Sequence, residues 1–316
     1  MKNWFFIVLF FSSEIFAQAF PSRPVKIVVP YPPGGGNDIM ARLIQPKLAA
    51  EWGQPVVVEN KPGAAGNLGA GEVARAPADG LTLLMATSTI AMTPGLGAKV
   101  SYDLEKDLVA VAMVGATAMV IAVHPQVEAR SLQQLVALAK QQPGKLAYST
   151  CGNASPMHLA GELLTLTAAI DLIHVPYKGC APALADVLGG QVPIAFNTIS
   201  NTAAHEKSGR IRILAVASSR RLPDFPQLPT ASEQGMAGYQ ADIWFGLFAP
   251  SQSPRAALLA VNAAVNRAIG DAEIRDRMRA QFYEPQPGSA DEMGAFVRSE
   301  VVKWGKTIRE ANIKAD

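Results

Sequence analysis

Apolar and polar positions along the chain change period in a regular order: short β-branched runs are followed by stretches with helical spacing. Residues 25–30 (VKIVVP) form a run that suits a buried strand. Behind it Ile39, Met40, Leu43 and Ile44 recur at helical spacing, so a helix follows, with Asn37 or Asp38 placed to cap it. The alternation then repeats. Strands are predicted in the segment PVVVENKPG that starts at Pro55, and at 81–86, 145–148, 171–176, 191–196, 211–217 and 243–250. Two further apolar runs flank Gly115 between 109 and 123. Helices are predicted at 132–140, capped by Ser131, from Met157 onward, at 181–188, and over most of the chain after Pro254, where Trp304 packs inward. Repeated alternation of strand and helix predicts a parallel, doubly wound sheet in each domain.

The turns between these elements carry the candidate chemistry. After the first strand, Pro32 and Pro33 remove backbone donors, and Gly34, Gly35 and Gly36 allow a close backbone approach to another molecule. A strand that delivers such a loop onto a helix start aims several unpaired amides at one point, as an anion site does. Neither GxxxxGK nor GxGxxG occurs here, which disfavours nucleotides and leaves a tight turn that binds nothing as the alternative. Thr87, Ser88 and Thr89 place hydroxyls at the C-terminal end of the third strand, where open α/β sheets bind ligands. The stretch STCGNASP at 149–156 repeats the strand, small polar loop and helix start. The glycines at 66, 69 and 71 read as close helix-to-sheet packing rather than as a cofactor loop. His158 and Glu162, at i and i+4, read as a structural hydrogen bond or ion pair rather than as metal ligands. No metal or cofactor is expected.

Length and composition narrow the class. The first 19 residues carry Lys2, an apolar run from Trp4 to Phe11 and a small-x-small site at 17–19, which reads as a signal peptide cleaved before Phe20. The 316-residue chain has room for two domains, and its net charge of +2 without a basic block argues against nucleic acid as partner. Two cysteines, Cys151 and Cys180, are too few for a disulfide scaffold.

Six segments, VPYPPGGGNDIMAR, VVVENKPGAAGNLGA, ADGLTLLMATS, LAYSTCGNASPMHLAGELL, HVPYKGCAPALADVLGGQV and WFGLFAP, resemble the extracytoplasmic solute receptors of tripartite tricarboxylate transporters, often called Bug receptors. They stand in family order and spacing over essentially the whole mature chain. The resemblance implies a periplasmic, monomeric binding protein without catalysis: two doubly wound α/β domains joined by crossing strands, of the type II periplasmic binding protein kind, with the ligand cleft between them. Domain one would be 20–121 plus 243–316, and domain two 122–242. The implied ligand is a small organic acid (a dicarboxylate, a tricarboxylate or an aromatic carboxylate), and the implied partner is a membrane permease. Carried over to this chain, the ligand-binding residues are Tyr31, Gly35, Gly36, Asp38, Thr87, Ser88, Ser149, Thr150, Asn153, Ala154 and Ser155, with Asp38 a loop and cap residue rather than a direct anion contact. Tyr177 would wall the pocket, with Lys178 a candidate counter-charge or a surface lysine.

Three positions depart from the family pattern. Asn197 stands where many relatives carry Asp, so a ligand with an ammonium group is disfavoured if that side chain faces the site, and a core asparagine is the alternative. Cys151 and Cys180 are also unusual there, and both a disulfide and two thiols are open after export. Two rival functions remain at this level. One is a secreted hydrolase using Ser149 or Ser155 with His158, although GxSxG is absent; the other is a solute sensor of the same fold that signals to a membrane partner.

Overall fold

A computed structural model describes residues 20–314, so the expected signal peptide at 1–19 lies outside the described residues. Among these, the strands form two sheets. The first holds β1 (Val25–Val29), β2 (Val56–Asn60), β3 (Thr82–Thr87), β4 (Leu108–Thr117), β10 (Ile243–Pro250) and β11 (Glu284–Pro285), in the order β11-β4-β10-β3-β1-β2. The second holds β5 (Met119–Val123), β6 (Ala147–Thr150), β7 (Ile173–Pro176), β8 (Ile194–Thr198) and β9 (Arg212–Val216), in the order β7-β6-β8-β5-β9. The helices are α1 (Gly36–Trp52), α2 (Asn67–Ala74), α3 (Thr89–Met92), α4 (Leu104–Asp107), α5 (Leu132–Gln141), α6 (Pro156–Ala168), α7 (Cys180–Leu188), α8 (Ile199–Lys207), α9 (Arg255–Gly270), α10 (Ala272–Arg279) and α11 (Ala290–Glu310).

Neither sheet is wholly parallel, which corrects the expectation from alternation. β1 pairs in parallel with β2 and β3, and β6 with β7 and β8, as alternation demands. The strands that carry the chain between sheets run the other way. β10 is antiparallel to β3 and β4, and β5 is antiparallel to β8 and β9. The chain leaves the first sheet at the end of β4 and, after the single residue Ala118, enters the second at β5, then returns from β9 to β10. A strand that crosses between sheets meets its neighbours head to tail, and a helical crossover is not needed to bring it there.

The sequence explains which runs sit in the middle. In β1, Val25, Ile27, Val28 and Val29 are all buried, as a strand covered on both faces requires. α1 covers one face with Met40, Leu43, Ile44 and Leu48, packed with Leu83, Met85 and Phe245. α11 runs along β4 and also reaches α3 and α6, so it braces both sheets from one side. Ser289 and Glu292 close a reciprocal capping box at its start. Trp304 is fully buried, as its position on the helix predicts, and its indole Nε1 donates to Glu300 Oε2 at 2.9 Å. Trp244 Nε1 donates to the same oxygen at 3.2 Å and Lys303 pairs with the other, so this buried carboxylate is fully engaged.

Candidate ligand-binding site

The glycine turn after β1 is built by hydrogen bonds among its own residues. Gly34 adopts φ +85°, a left-handed geometry that suits glycine, and its amide donates to Asp38 Oδ2 at 3.0 Å. Asp38 Oδ1 accepts from Arg42 Nε at 2.9 Å and from Asn60 Nδ2 at 3.0 Å. Burial alone would raise the Asp38 pKa, but these bonds together hold it below the usual carboxylate value. Its charge therefore turns into the loop scaffold. The helix begins earlier than the capping residues expected from sequence: Gly35 is the cap, without a side-chain bond, and Gly36 the first helical residue. Asn37 instead donates to Met85 O at 2.7 Å and ties α1 to β3. The first turn of this 17-residue helix thus has no side-chain cap for its amides.

Gly36 is constrained from above. A β carbon there would stand 2.7 Å from the Phe245 ring and 3.1 Å from the Tyr283 hydroxyl, closer than packed atoms approach. Tyr31, in contrast, turns its hydroxyl sideways. It donates to Ala65 O at 3.2 Å and shares a 2.5 Å bond with Thr89 Oγ1. The hollow beside it, lined by Tyr31, Gly66, Thr87 and Thr89, has a volume of about 10 Å³, room for about one water. Thr87 Oγ1 is likewise engaged, donating to Trp244 O at 2.8 Å. Ser88 is different: it is fully buried and its hydroxyl has no hydrogen-bond partner among the described residues.

The second loop is fixed by a disulfide and by two histidines. Cys151, just after β6, is bonded to Cys180, the first residue of α7. The Tyr177 amide donates to Thr150 O and the Gly179 amide to Cys151 O, both at 3.1 Å, so the loop is laced to its neighbour along its length. Thr150 Oγ1 lies 2.6 Å from His174 Nε2 and donates to Gly152 O. His174 stacks on His158 at 3.7 Å, and burial pulls its pKa down to about 4, so it is neutral. Ser155 caps α6, its hydroxyl accepting from the His158 amide and donating to Gly152 O at 2.7 Å. His158 Nδ1 accepts from the Ala154 amide at 3.0 Å, and its Nε2 lies 3.8 Å from Glu162, the structural pairing expected from sequence. Ser155 and His158 are thus bonded to the backbone of their own loop, an arrangement that serves a helix cap rather than a nucleophile and base. Among the described residues no group of acidic, histidine and cysteine side chains is placed to hold a metal.

The remaining predicted residues have structural partners. Ser149 is buried within β6, opposite Val175 and Ala195. Asn153 Nδ2 donates to Lys314 O, which brings this loop to the C-terminal segment. Tyr177 donates to Asp186 at 2.6 Å, and burial followed by that carboxylate pushes its pKa up to about 12. Asn197 is buried, and its Oδ1 accepts from the Thr198 amide and from Asn201, the core role that was its alternative. The structure thus gathers Tyr31, Gly35, Gly36, Asp38, Thr87 and Ser88 at the C-terminal ends of β1 and β3. It gathers Ser149, Thr150, Asn153, Ala154, Ser155, Tyr177 and Asn197 at those of β6, β7 and β8. The two groups meet the strand crossing, where the Ser88 amide bonds to β10 and the Ile199 amide to Ala118. Asn60 and Tyr283 were missed in the sequence; Asn60 lies in a strand run, and nothing local marks Tyr283.

Comparison with known proteins gives concordant results. The model of the tripartite tricarboxylate transporter family receptor matches residues 40–313. Protein BugT of Bordetella pertussis is 34% identical over 305 residues, covering 96% of this chain and 94% of that protein. The solved structure of Rpa4515 of R. palustris with adipate is similar with a TM-score of 0.78 and 32% identity, over 93% of this chain and 99% of that one. MatC of Rhodopseudomonas palustris with bound malate is similar with a TM-score of 0.74 and 31% identity, over 92% and 100%. The two mixed α/β sheets are the architecture of these structures.

Proposed function

The chain belongs to the tripartite tricarboxylate transporter receptor family, and on that premise we propose that it is a periplasmic receptor that captures a small organic carboxylate by closing two domains for delivery to a membrane permease. The domains would be those expected from sequence, 20–121 with 243–316 and 122–242, with the first break moved back to Ala118 because β5 lies wholly in the second sheet, and the hinge where the strands cross. The observation that carries the reading is the pair of strand, loop and helix turns. α1 presents an uncapped amino end beside Gly35 and Gly36, and α6 presents the laced loop at 150–155. Neither loop contains a lysine or arginine. An anion held by amides and hydroxyls, without a permanent counter-ion, is bound yet releasable. Similar proteins with adipate and malate support an aliphatic dicarboxylate as the first class to test. Among the described residues no helix is long and apolar enough to cross a membrane.

The test is a thermal-shift panel on the mature protein, refolded to strip carried ligand, against mono-, di-, tri- and aromatic carboxylates, their amides, and amino acids. An acid present at a hundred times its Kd adds about 2.7 kcal/mol of stability. We expect at least one dicarboxylate to raise the melting temperature while its diamide does not. A flat panel from well-folded protein would refute the reading.

A further inference from the structure

Tyr283 reaches the amino end of α1 from almost the far end of the chain. It follows α10 and directly precedes β11, the short edge strand of the first sheet. Its ring packs edge-on against Phe245 at 5.5 Å and is 8% exposed. The neighbouring Phe282 lies 5.7 Å from Phe225, in the link between β9 and β10, so this segment spans from the first sheet to the chain leaving the second. The Tyr283 hydroxyl has no hydrogen-bond partner among the described residues, and it lies beside Gly36. A buried phenol whose ring is fixed and whose polar tip is left open has its donor available for something else.

We propose that Tyr283 is a ligand-contacting residue whose hydroxyl donates to the carboxylate held at the amino end of α1. The inference rests on the receptor reading above and adds a contact to it. The first-turn amides of α1 offer donors from below, and the absence of a β carbon at Gly36 keeps the hydroxyl within reach of the same point. Nearby acids do not compete for it. Asp38 is turned to Arg42, Asn60 and the Gly34 amide, and Glu284 faces Arg279 at 3.9 Å. Burial raises the Tyr283 pKa, so the group keeps its proton at neutral pH and acts as a neutral donor. Such a donor strengthens carboxylate binding without adding the lasting charge that an arginine would.

The experiment is calorimetric titration of refolded wild type and Tyr283→Phe with succinate, adipate, malate, citrate and benzoate, each beside its primary amide, plus melting curves without ligand. Loss of one hydrogen bond to a charged group predicts a Kd about tenfold or more higher for whichever acid binds wild type, and a similar fall in acid-over-amide preference. The unliganded melting temperature should stay unchanged, because the removed hydroxyl bonds nothing there. An unchanged Kd in Tyr283→Phe, with or without a lower melting temperature, would overturn this contact and leave the receptor reading intact. Failure of every acid to bind wild type would overturn both.

Discussion

Removing the Cys151–Cys180 bond is the perturbation whose size follows most directly from the structure. The two residues are 29 apart in sequence, so the bond closes a loop of that length in the unfolded chain. The chain-entropy account gives about 3.5 kcal/mol of stabilisation at 25 °C for such a loop. At about 2–4 °C per kcal/mol for a protein near this size, Cys151→Ala/Cys180→Ala should melt roughly 7–14 °C lower. Differential scanning calorimetry without reductant measures this, and thiol titration of denatured wild type should find no free thiol. The same variant should exchange the amides of residues 152–155 faster. The bonds from Tyr177 and Gly179 remain, but the covalent tie from the β6 loop to α7 is gone. A variant melting within about a degree of wild type, with the bond shown to be present in wild type, would refute the loop-entropy reasoning. Two free thiols in wild type would refute the bond.

Four other substitutions test the site and its surroundings. Gly36→Ala forces a methyl group into the buried Phe245 ring. Urea unfolding should show a loss of about 1–3 kcal/mol, less the gain of roughly 0.5–1 kcal/mol for alanine over glycine in a helix. Gly35→Ala, with nothing closer than Pro32 O at 3.7 Å, should be tolerated far better. His174 and Asp242 bend the pH profile in opposite senses. His174 folds with its pKa lowered to about 4 by burial, so the unfolded chain binds more protons between that value and about 6.5, and stability falls as pH drops through that window. Asp242 folds with its pKa raised to about 6, also by burial, so its contribution falls as pH rises from about 4 to 6. His174→Gln should therefore be less destabilised than wild type on moving from pH 7 to 5, and Asp242→Asn more so; identical slopes in urea unfolding would contradict both assignments.

Apolar periodicity made most elements legible. β10 and the Ser131-capped α5 fall close to where the pattern placed them, because both are long runs with clear ends. Strand direction was not legible. An apolar run looks the same whether its neighbours lie parallel or antiparallel, so β4, β5 and β10 could not reveal that they cross. The turn at 31–36 was visible as glycine and proline chemistry, but the start of α1 was not. Asn37 and Asp38 are good capping residues, yet one is drawn to Met85 and the other to Gly34, Asn60 and Arg42, partners set by tertiary structure. Asn197 shows the same limit, since only the fold could turn its oxygen to Thr198 and Asn201. Tyr283 lies 247 positions from Gly36, and no local pattern could join them.

The most direct test of the central claim is an amide NMR titration of the ligand-stripped mature protein with the dicarboxylate that gives the largest thermal shift. If one carboxylate ligand is clasped between the two loops, the amides of Gly35 and Gly36 and those of residues 150–155 should shift together and saturate at the same ligand concentration. Shifts confined to one loop, or saturating at different concentrations, would contradict capture between two domains.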